Sequence, residues 1–514
     1  MSATSTDPGH RRALICCLVG LVFSAIMAWQ SEGGEGDYDD LEHYLRARWS
    51  FHDPRYLLDE WGRPGFTALF AVPAQLGWLA GRLLSGLFSS AAAYLAFACA
   101  RRLGLGSAWL AAPLTLAQPL FFTLSFTTLT ETPTAFYLIA ALHLLLCGRA
   151  TASAAVFSLL LVTRYEMAAL LPIWAVALVR GGGRRGWALP VLLWAPLAHN
   201  VLAVVAGMPA PVRVFLAARG RIYAAGDPFA FVAHLTSAAG LVIAVLALGG
   251  CRGLLEFRRG WLVSASIFTY LAVQTVLHGH GLYGTGGYAR FLVTVAPLLG
   301  VAATRGWTML GRREPHGGAA SARTILLALA LVYLSYEAHR WLGSVFWDRA
   351  TAGLYRATAV LVSVTYMTLA LAPKLRATGP AVLEAIRCLA VLFITSRLVV
   401  FVEPLRAEGR HREILDALAY AQRHGMSDRR VHYAGPHIAA AMRTVLPQDR
   451  RWFREAVALA QTGDLVIWDE FYGKDVNIDV PLQRLWPNRL WQLRYVSWPR
   501  PGHWPSILLF ERTD

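Results

Sequence analysis

Charge is scarce in this chain, and so are lysine and cysteine. Charged residues fill only 16% of the 514 positions while 56% are hydrophobic, and the mean hydropathy is +0.43. Two or three soluble domains, the usual packaging of a chain this long, would need a far more polar surface. The six cysteines (Cys16, Cys17, Cys99, Cys147, Cys251 and Cys388) all fall in or beside apolar runs. That leaves no disulfide framework and no CxxC metal pair. Internal repeats and low-complexity linkers are also missing. The glycines of GLYGTGGYAR (281–290) follow no soluble strand and open no βα unit, so they are not a dinucleotide fingerprint.

What the chain has instead is a succession of apolar runs of membrane-crossing length, the mark of a polytopic, mainly α-helical membrane protein. The net charge of +16 points to topology rather than to nucleic acid. From Glu403 onward there are 16 basic and 14 acidic residues, so nearly all the excess lies in short arginine clusters between apolar runs, as the positive-inside rule requires. Arg11 and Arg12 put the N-terminus in the cytoplasm, with the first run an uncleaved anchor rather than a signal peptide. About thirteen spans are predicted, near 13–30, 83–100, 107–124, 134–148, 153–165, 167–180, 187–206, 230–250, 261–277, 288–304, 324–340, 353–372 and 381–402. An odd number leaves the C-terminus outside, in a multi-pass inner (plasma) membrane protein. The run 65–81 is read as a juxtamembrane helix of the first outer loop (31–82), because a crossing there would expose Arg101 and Arg102 on the outer face. The short spans 153–165 and 167–180 meet at TRYE, which brings Arg164 and Glu166 near the outer surface.

Two domains are expected: a membrane domain over 1–402 and an extracytoplasmic α/β domain over 403–514. In the latter, EGRHREILDALAYAQRHG reads as an amphipathic helix and helices are expected around 436–460. RRVHYAG, GDLVIWDEF, LWQLRYVSW and SILLFERTD read as strands.

The outer loops carry the chemistry. Loop 31–64 holds Asp37, Asp39, Asp40, Glu42, His43, Asp53, Asp59, Glu60 and Arg63, and loop 207–229 holds Arg213, Arg219 and Arg221 against the positive-inside tendency. A solvated acidic loop, its charges offset by those arginines, is the plain reading. The functional reading is group transfer from a phosphate-linked donor. A hydroxyl acceptor needs a carboxylate such as Asp40 or Asp39 to take its proton. A departing phosphate needs cations, for which Arg63, Arg290, Arg219 and Arg221 are the candidates.

Six stretches in order strengthen this reading: DYDDLEHYLRARW, DEWGRPGFTALFAVPAQLG, ACARRLG, TLTETPTAFYLIAALHLLL, LLVTRYEMAALLP and GGYARFLVTVAPLLGVAA. Over residues 10 to 305 their order and spacing resemble the polytopic GT-C glycosyltransferases, among them the bacterial aminoarabinose transferases and the protein O-mannosyltransferases. The resemblance matches Asp39–Asp40 and Tyr44 to the family's acidic pair and nearby aromatic, and Arg63–Pro64 to its basic-Pro element. It sets Glu131 at the outer membrane edge and Arg290 at the head of a late span. It implies an inverting transfer of one sugar, a hexose or pentose, from a polyprenyl-phosphate carrier to an envelope lipid, glycan or protein on the outer face. The acidic pair here is Asp-Asp rather than Asp-Glu, so the choice of base between its members stays open.

His278 and His280 stand two apart in a glycine-rich outer loop. Two histidines could contribute to a divalent metal site, but no third ligand is fixed, and a loop over the sugar site is the preferred reading. Glu131, Arg164 and Glu166 could act in the site or simply offset one another. His199 and Asn200 read as helix-to-helix hydrogen-bonding groups. The rival functions are a flippase or transporter of a lipid-linked saccharide, which would favour inverted repeats and mid-span charges, and a non-catalytic envelope assembly protein.

Overall fold

The computed structural model describes residues 8–35, 39–59, 62–181, 183–213, 226–282, 286–311, 391, 394–395, 398–399, 401–406, 409–433, 438, 453–470, 480–497 and 507–513. The expected spans 324–340 and 353–372, most of 381–402, most of the expected helices at 436–460, and Arg219 and Arg221 lie outside the described residues.

Among the described residues, five helices are long and apolar enough to cross a membrane: Pro8–Gln30, Trp78–Arg102, Gly186–Val205, Trp261–Gly279 and Ala289–Met309. Ala230–Ala238 and Leu241–Leu254 pass the same test together but are bent by 118°. Gly240 makes the corner at φ 78°, a conformation that costs a residue without Cβ little. Glu131–Leu146 and Ala150–Thr163 are shorter apolar helices. The chain is thus a polytopic helical membrane protein with a small sheet.

Two segments show how local chemistry sets the elements. Residues 64–75 form a single short helix, Pro64–Gln75, about 18 Å long and too short for a hydrocarbon core of about 30 Å. The run 107–124, expected as one span, is instead a 3₁₀ turn followed by helices Ala111–Leu116 and Pro119–Leu124. Gln118, forced out of the helical region by the proline after it, is extended at ψ 118°. Its side-chain amide donates to the carbonyls of Leu114 (3.3 Å) and Ala296 (2.7 Å), which suits a polar group placed at the break.

The chain forms two compact units. The first comprises Met1–Ala28, Leu58–Phe66 and Arg82–Glu403. Among the described residues, helices Leu241–Leu254 and Ala296–Gly311 pack closely, and glycine sets the spacing. A Cβ at Gly250 would lie 1.9 Å from the Ala302 carbonyl oxygen, and one at Gly306 would lie 2.1 Å from that of Leu246. Small residues at such a crossing let backbones touch where no hydrophobic force draws helices together in lipid.

The second unit comprises Trp29–Leu57, Thr67–Gly81 and Pro404–Asp514. It holds a four-stranded sheet of β1 (Val431–Tyr433), β2 (Leu465–Asp469), β3 (Trp491–Ser497) and β4 (Ile507–Arg512), in the order β1-β2-β4-β3. Only β1 and β2 run parallel. All five residues of β2 are buried, because both faces of the sheet are covered. Leu465, Ile467, Ile507 and Leu509 pack with Ile414, Ala417 and Ala421 of helix Gly409–Arg423. Val466, Trp468, Leu508 and Phe510 pack on the other side with Phe453, Val457 and Leu485. The first outer loop joins this unit through its backbone: the N–H groups of Glu32 and Gly33 both donate to the Leu405 carbonyl at 2.9 Å. The Leu405 N–H in turn donates to Ser31 Oγ at 2.9 Å.

On the sheet, Glu511 accepts hydrogen bonds from Arg429 and, at 2.5 Å, from Arg494. Burial pushes its carboxyl up, but the two guanidiniums outweigh that and hold it below the usual carboxylate range. A group whose folded pKa is depressed stabilises above its unfolded pKa and loses that contribution as pH falls through the folded value. Proteolysis of the C-terminal region is therefore expected to accelerate below the ordinary glutamate range, about pH 4. Glu511→Gln should flatten that acid dependence.

Candidate active site

In the first unit, the TETP stretch opens helix Glu131–Leu146 and places Glu131 in its first turn. Pro133 is tolerated there because first-turn amides need no intrahelical acceptor, and the positive helix end favours a carboxylate. Glu131 is 1% exposed. Between helix Ala150–Thr163 and the 3₁₀ turn Tyr165–Leu170, Arg164 breaks the helical run with extended backbone (φ −145°, ψ 115°). Its Nη1 stands 2.7 Å from Glu131 Oε1 and its Nε 2.5 Å from Glu166 Oε1. Arg290, near the start of the turn Ala289–Val295, brings Nε to 3.6 Å from the same Glu131 oxygen.

Aromatic rings fix these guanidiniums from the side. Arg164 lies 4.7 Å over Phe291, and Arg290 lies 4.7 Å over Tyr288 and 5.8 Å from Phe291. Arg63 lies 4.5 Å over Tyr165. It has φ 53°, a left-handed conformation that costs a non-glycine residue about 1–3 kcal/mol. Its Nη1 is buried with no hydrogen-bond partner among the described residues. The hydroxyl of Tyr270 donates to the Phe291 carbonyl at 3.1 Å and accepts from Gln274 Nε2 at 2.9 Å. Burial would raise the Glu166 carboxyl, but Arg164 and Arg63 prevail and hold it below the usual range. Three arginines against two glutamates leave these named groups one positive charge in excess.

In the second unit, Asp39 and Asp40 are the first two residues of helix Asp39–Trp49, where the helix dipole favours anions. Asp40 is 0% exposed and Asp39 half-buried. Tyr44, one turn on, is buried and stacks on Trp78 with ring centroids 6.0 Å apart. Three other acids of the loop, Glu42, Asp53 and Asp59, do local work. Glu42 pairs with Arg46 at 2.7 Å, and Asp53 accepts from the backbone and side chain of Arg55 at 3.2 Å. Asp59, in the first unit, accepts from the Gly62 N–H at 3.2 Å.

The structure therefore brings Arg63, Glu131 and Arg290 into one neighbourhood, and adds to it Arg164, Glu166 and Tyr270. The R-x-E spacing and the i, i+4 pair Tyr270/Gln274 inside an apolar helix are the sequence signals for the added residues. His278 is half-buried with its ring edge-on to Phe231 at 5.9 Å, while its carbonyl accepts from the Gly226 N–H at 3.0 Å. His280 is exposed. Among the described residues no three His, Cys, Asp or Glu side chains are grouped to hold a metal ion.

No protein-family model matches this sequence, and no curated protein matches it. Solved structures do. Two crystal structures of ArnT from Cupriavidus metallidurans, one in the apo state and one bound to undecaprenyl phosphate, superpose with TM-scores of 0.59 and 0.55. Each is 14% identical, over 96% of this chain and 97% of theirs. The Archaeoglobus fulgidus oligosaccharyltransferase aligns more loosely, with a TM-score of 0.46 and 11% identity over 88% of this chain and 69% of its own. The chain has the fold of ArnT.

Proposed function

We propose that this protein is a glycosyltransferase that moves one sugar from a polyprenyl-phosphate carrier to a hydroxyl of an envelope lipid, glycan or protein on the outer face of the membrane. The observation that carries the reading is the cluster of Arg63, Arg164 and Arg290 around two glutamates, in which Arg164, Arg290 and Glu131 are buried. An excess positive charge held beside apolar helices suits a lipid-borne phosphate, and the ArnT with the same fold has been crystallised with undecaprenyl phosphate.

In the proposed reaction, the acceptor oxygen attacks the anomeric carbon as its proton passes to Asp40 or Asp39. The bond from that carbon to the phosphate oxygen breaks with inversion, and the electron pair leaves on the phosphate. Arg63 and Arg290 meet the charge growing there, and donors already in position need no reorganisation at that moment. Arg164, held between Glu131 and Glu166, positions Arg290 through their shared carboxylate.

Nucleotide sugars are cytosolic, so an outward-facing site needs a flipped lipid donor, and a lipid donor calls for a site at the membrane boundary. The bonds from Ser31, Glu32 and Gly33 to Leu405 support one side of the membrane for the first outer loop and the C-terminal domain. With the basic N-terminus inside, that side is extracytoplasmic.

The test is transfer by purified protein in lipid vesicles, given a polyprenyl-phosphate sugar and an extracted envelope fraction. Release of polyprenyl phosphate matched by a mass gain of one sugar on an envelope component is expected. Lipid-linked sugar that crosses the bilayer without being cleaved would instead favour a flippase.

A further inference from the structure

A cavity of about 370 Å³ opens between the end of helix Leu241–Leu254 and the start of helix Trp261–Gly279. Its size falls in the range of ligand sites, roughly 300–1,000 Å³. Leu248, Leu255, Ala265 and Phe268 form apolar walls. The Ser264 hydroxyl donates to the Cys251 carbonyl at 2.8 Å, which satisfies the polar group of that wall. Leu255 and Phe268 are 61% and 48% exposed at its rim, so the opening faces a medium that accepts hydrocarbon.

The mouth is basic and aromatic. Arg252 and Trp261 line it, and the exposed Arg180 holds its guanidinium 5.4 Å from the centre of the Trp261 ring. Arg252, near the end of one helix, thus lines the apolar cleft while Arg180, at the end of another, sits on the ring of the lining Trp261. An acyl chain with a charged headgroup fits this arrangement. Trp261 lies nine residues, about 14 Å of helix, before Tyr270, whose hydroxyl meets the Phe291 carbonyl beside the ion cluster. The cavity is therefore a different site. Its arginines belong to the clusters that the positive-inside rule assigns to the cytoplasm, where anionic lipids concentrate.

We propose that this cavity binds an anionic phospholipid of the cytoplasmic leaflet, with one acyl chain between the two helices and the phosphodiester on Arg180 and Arg252 beside Trp261. The proposal is independent of sugar transfer, and its readouts are binding and stability. The full-length protein, purified in a neutral detergent, would be given phosphatidylglycerol, phosphatidylcholine or inorganic phosphate. Native mass spectrometry would follow retained lipid, and thermal unfolding would follow stability.

Phosphatidylglycerol is expected to stay bound and raise the unfolding temperature, phosphatidylcholine to do so far less, and inorganic phosphate not at all. The double variant Arg180→Gln/Arg252→Gln should weaken phosphatidylglycerol retention by roughly tenfold or more, given what each basic group contributes near an anionic surface. Ala265→Trp, which fills the cavity and leaves both arginines in place, should also weaken it. Equal retention of the two lipids, equal stabilisation by inorganic phosphate, or unchanged retention in both variants would overturn the proposal.

Discussion

Asparagine at position 40 is expected to lower sugar transfer by about two to four orders of magnitude, the usual contribution of a positioned general base. The side chain is nearly isosteric, so the loss should come from chemistry rather than shape. Asp40 is 0% exposed at a helix N-terminus. Burying a carboxylate is costly unless hydrogen bonds compensate, and its placement is one where the helix dipole favours the charged form. Under the proposed roles the donor phosphate is held by arginines, so kcat should fall while KM for the lipid donor stays near its wild-type value. Asp39→Asn, at a half-buried position, is expected to cost less. Steady-state transfer with folding checked by thermal unfolding separates the two. If both variants turn over like the wild type, neither carboxylate is the base.

Glu131→Gln should cost stability as well as activity. Arg164 at 2.7 Å and Arg290 at 3.6 Å share one oxygen of this buried carboxylate. Breaking a buried ion pair by removing one partner commonly costs about 3–5 kcal/mol, because the remaining charge stays desolvated. Removing both partners is different: Glu131→Leu with Arg164→Met takes away an anion and a cation together. Part of the lost stability is expected to return in that double variant, the rest staying lost because Glu166 loses its 2.5 Å partner Arg164. Transfer should stay low because Arg290 has lost its positioning carboxylate. Thermal unfolding in detergent alongside a transfer assay reads both effects. A Glu131→Gln protein as stable as the wild type would mean that water reaches the cluster and carries the charge.

The membrane made much of the fold legible in advance. A lipid core demands long apolar helices with basic ends, so Pro8–Gln30, Trp78–Arg102 and Trp261–Gly279 follow from runs and arginines alone. The strands were readable because each covered sheet face leaves its own apolar pattern, continuous along β2. The break at Gln118–Pro119 was signalled only by a dipeptide inside an otherwise apolar run, and hydropathy averages over it. The ion cluster was partly legible. Glu131 and Arg290 stood out near span ends, Arg63 in the first outer loop, and Arg164 and Glu166 where two short spans meet. That Glu131 and Arg164 would meet is a property of tertiary packing between two helices, which no local pattern encodes. Tyr270 lies within an apolar run, with Gln274 one turn later as its polar hint.

The most direct measurement is a cryo-electron microscopy map of the protein with undecaprenyl phosphate bound. The phosphate oxygens are expected within about 3 Å of the guanidinium nitrogens of Arg63 and Arg290, with Arg164 still held by Glu131 and Glu166. A phosphate resolved elsewhere on the protein, with Arg63 and Arg290 contacting no part of the lipid, would contradict it.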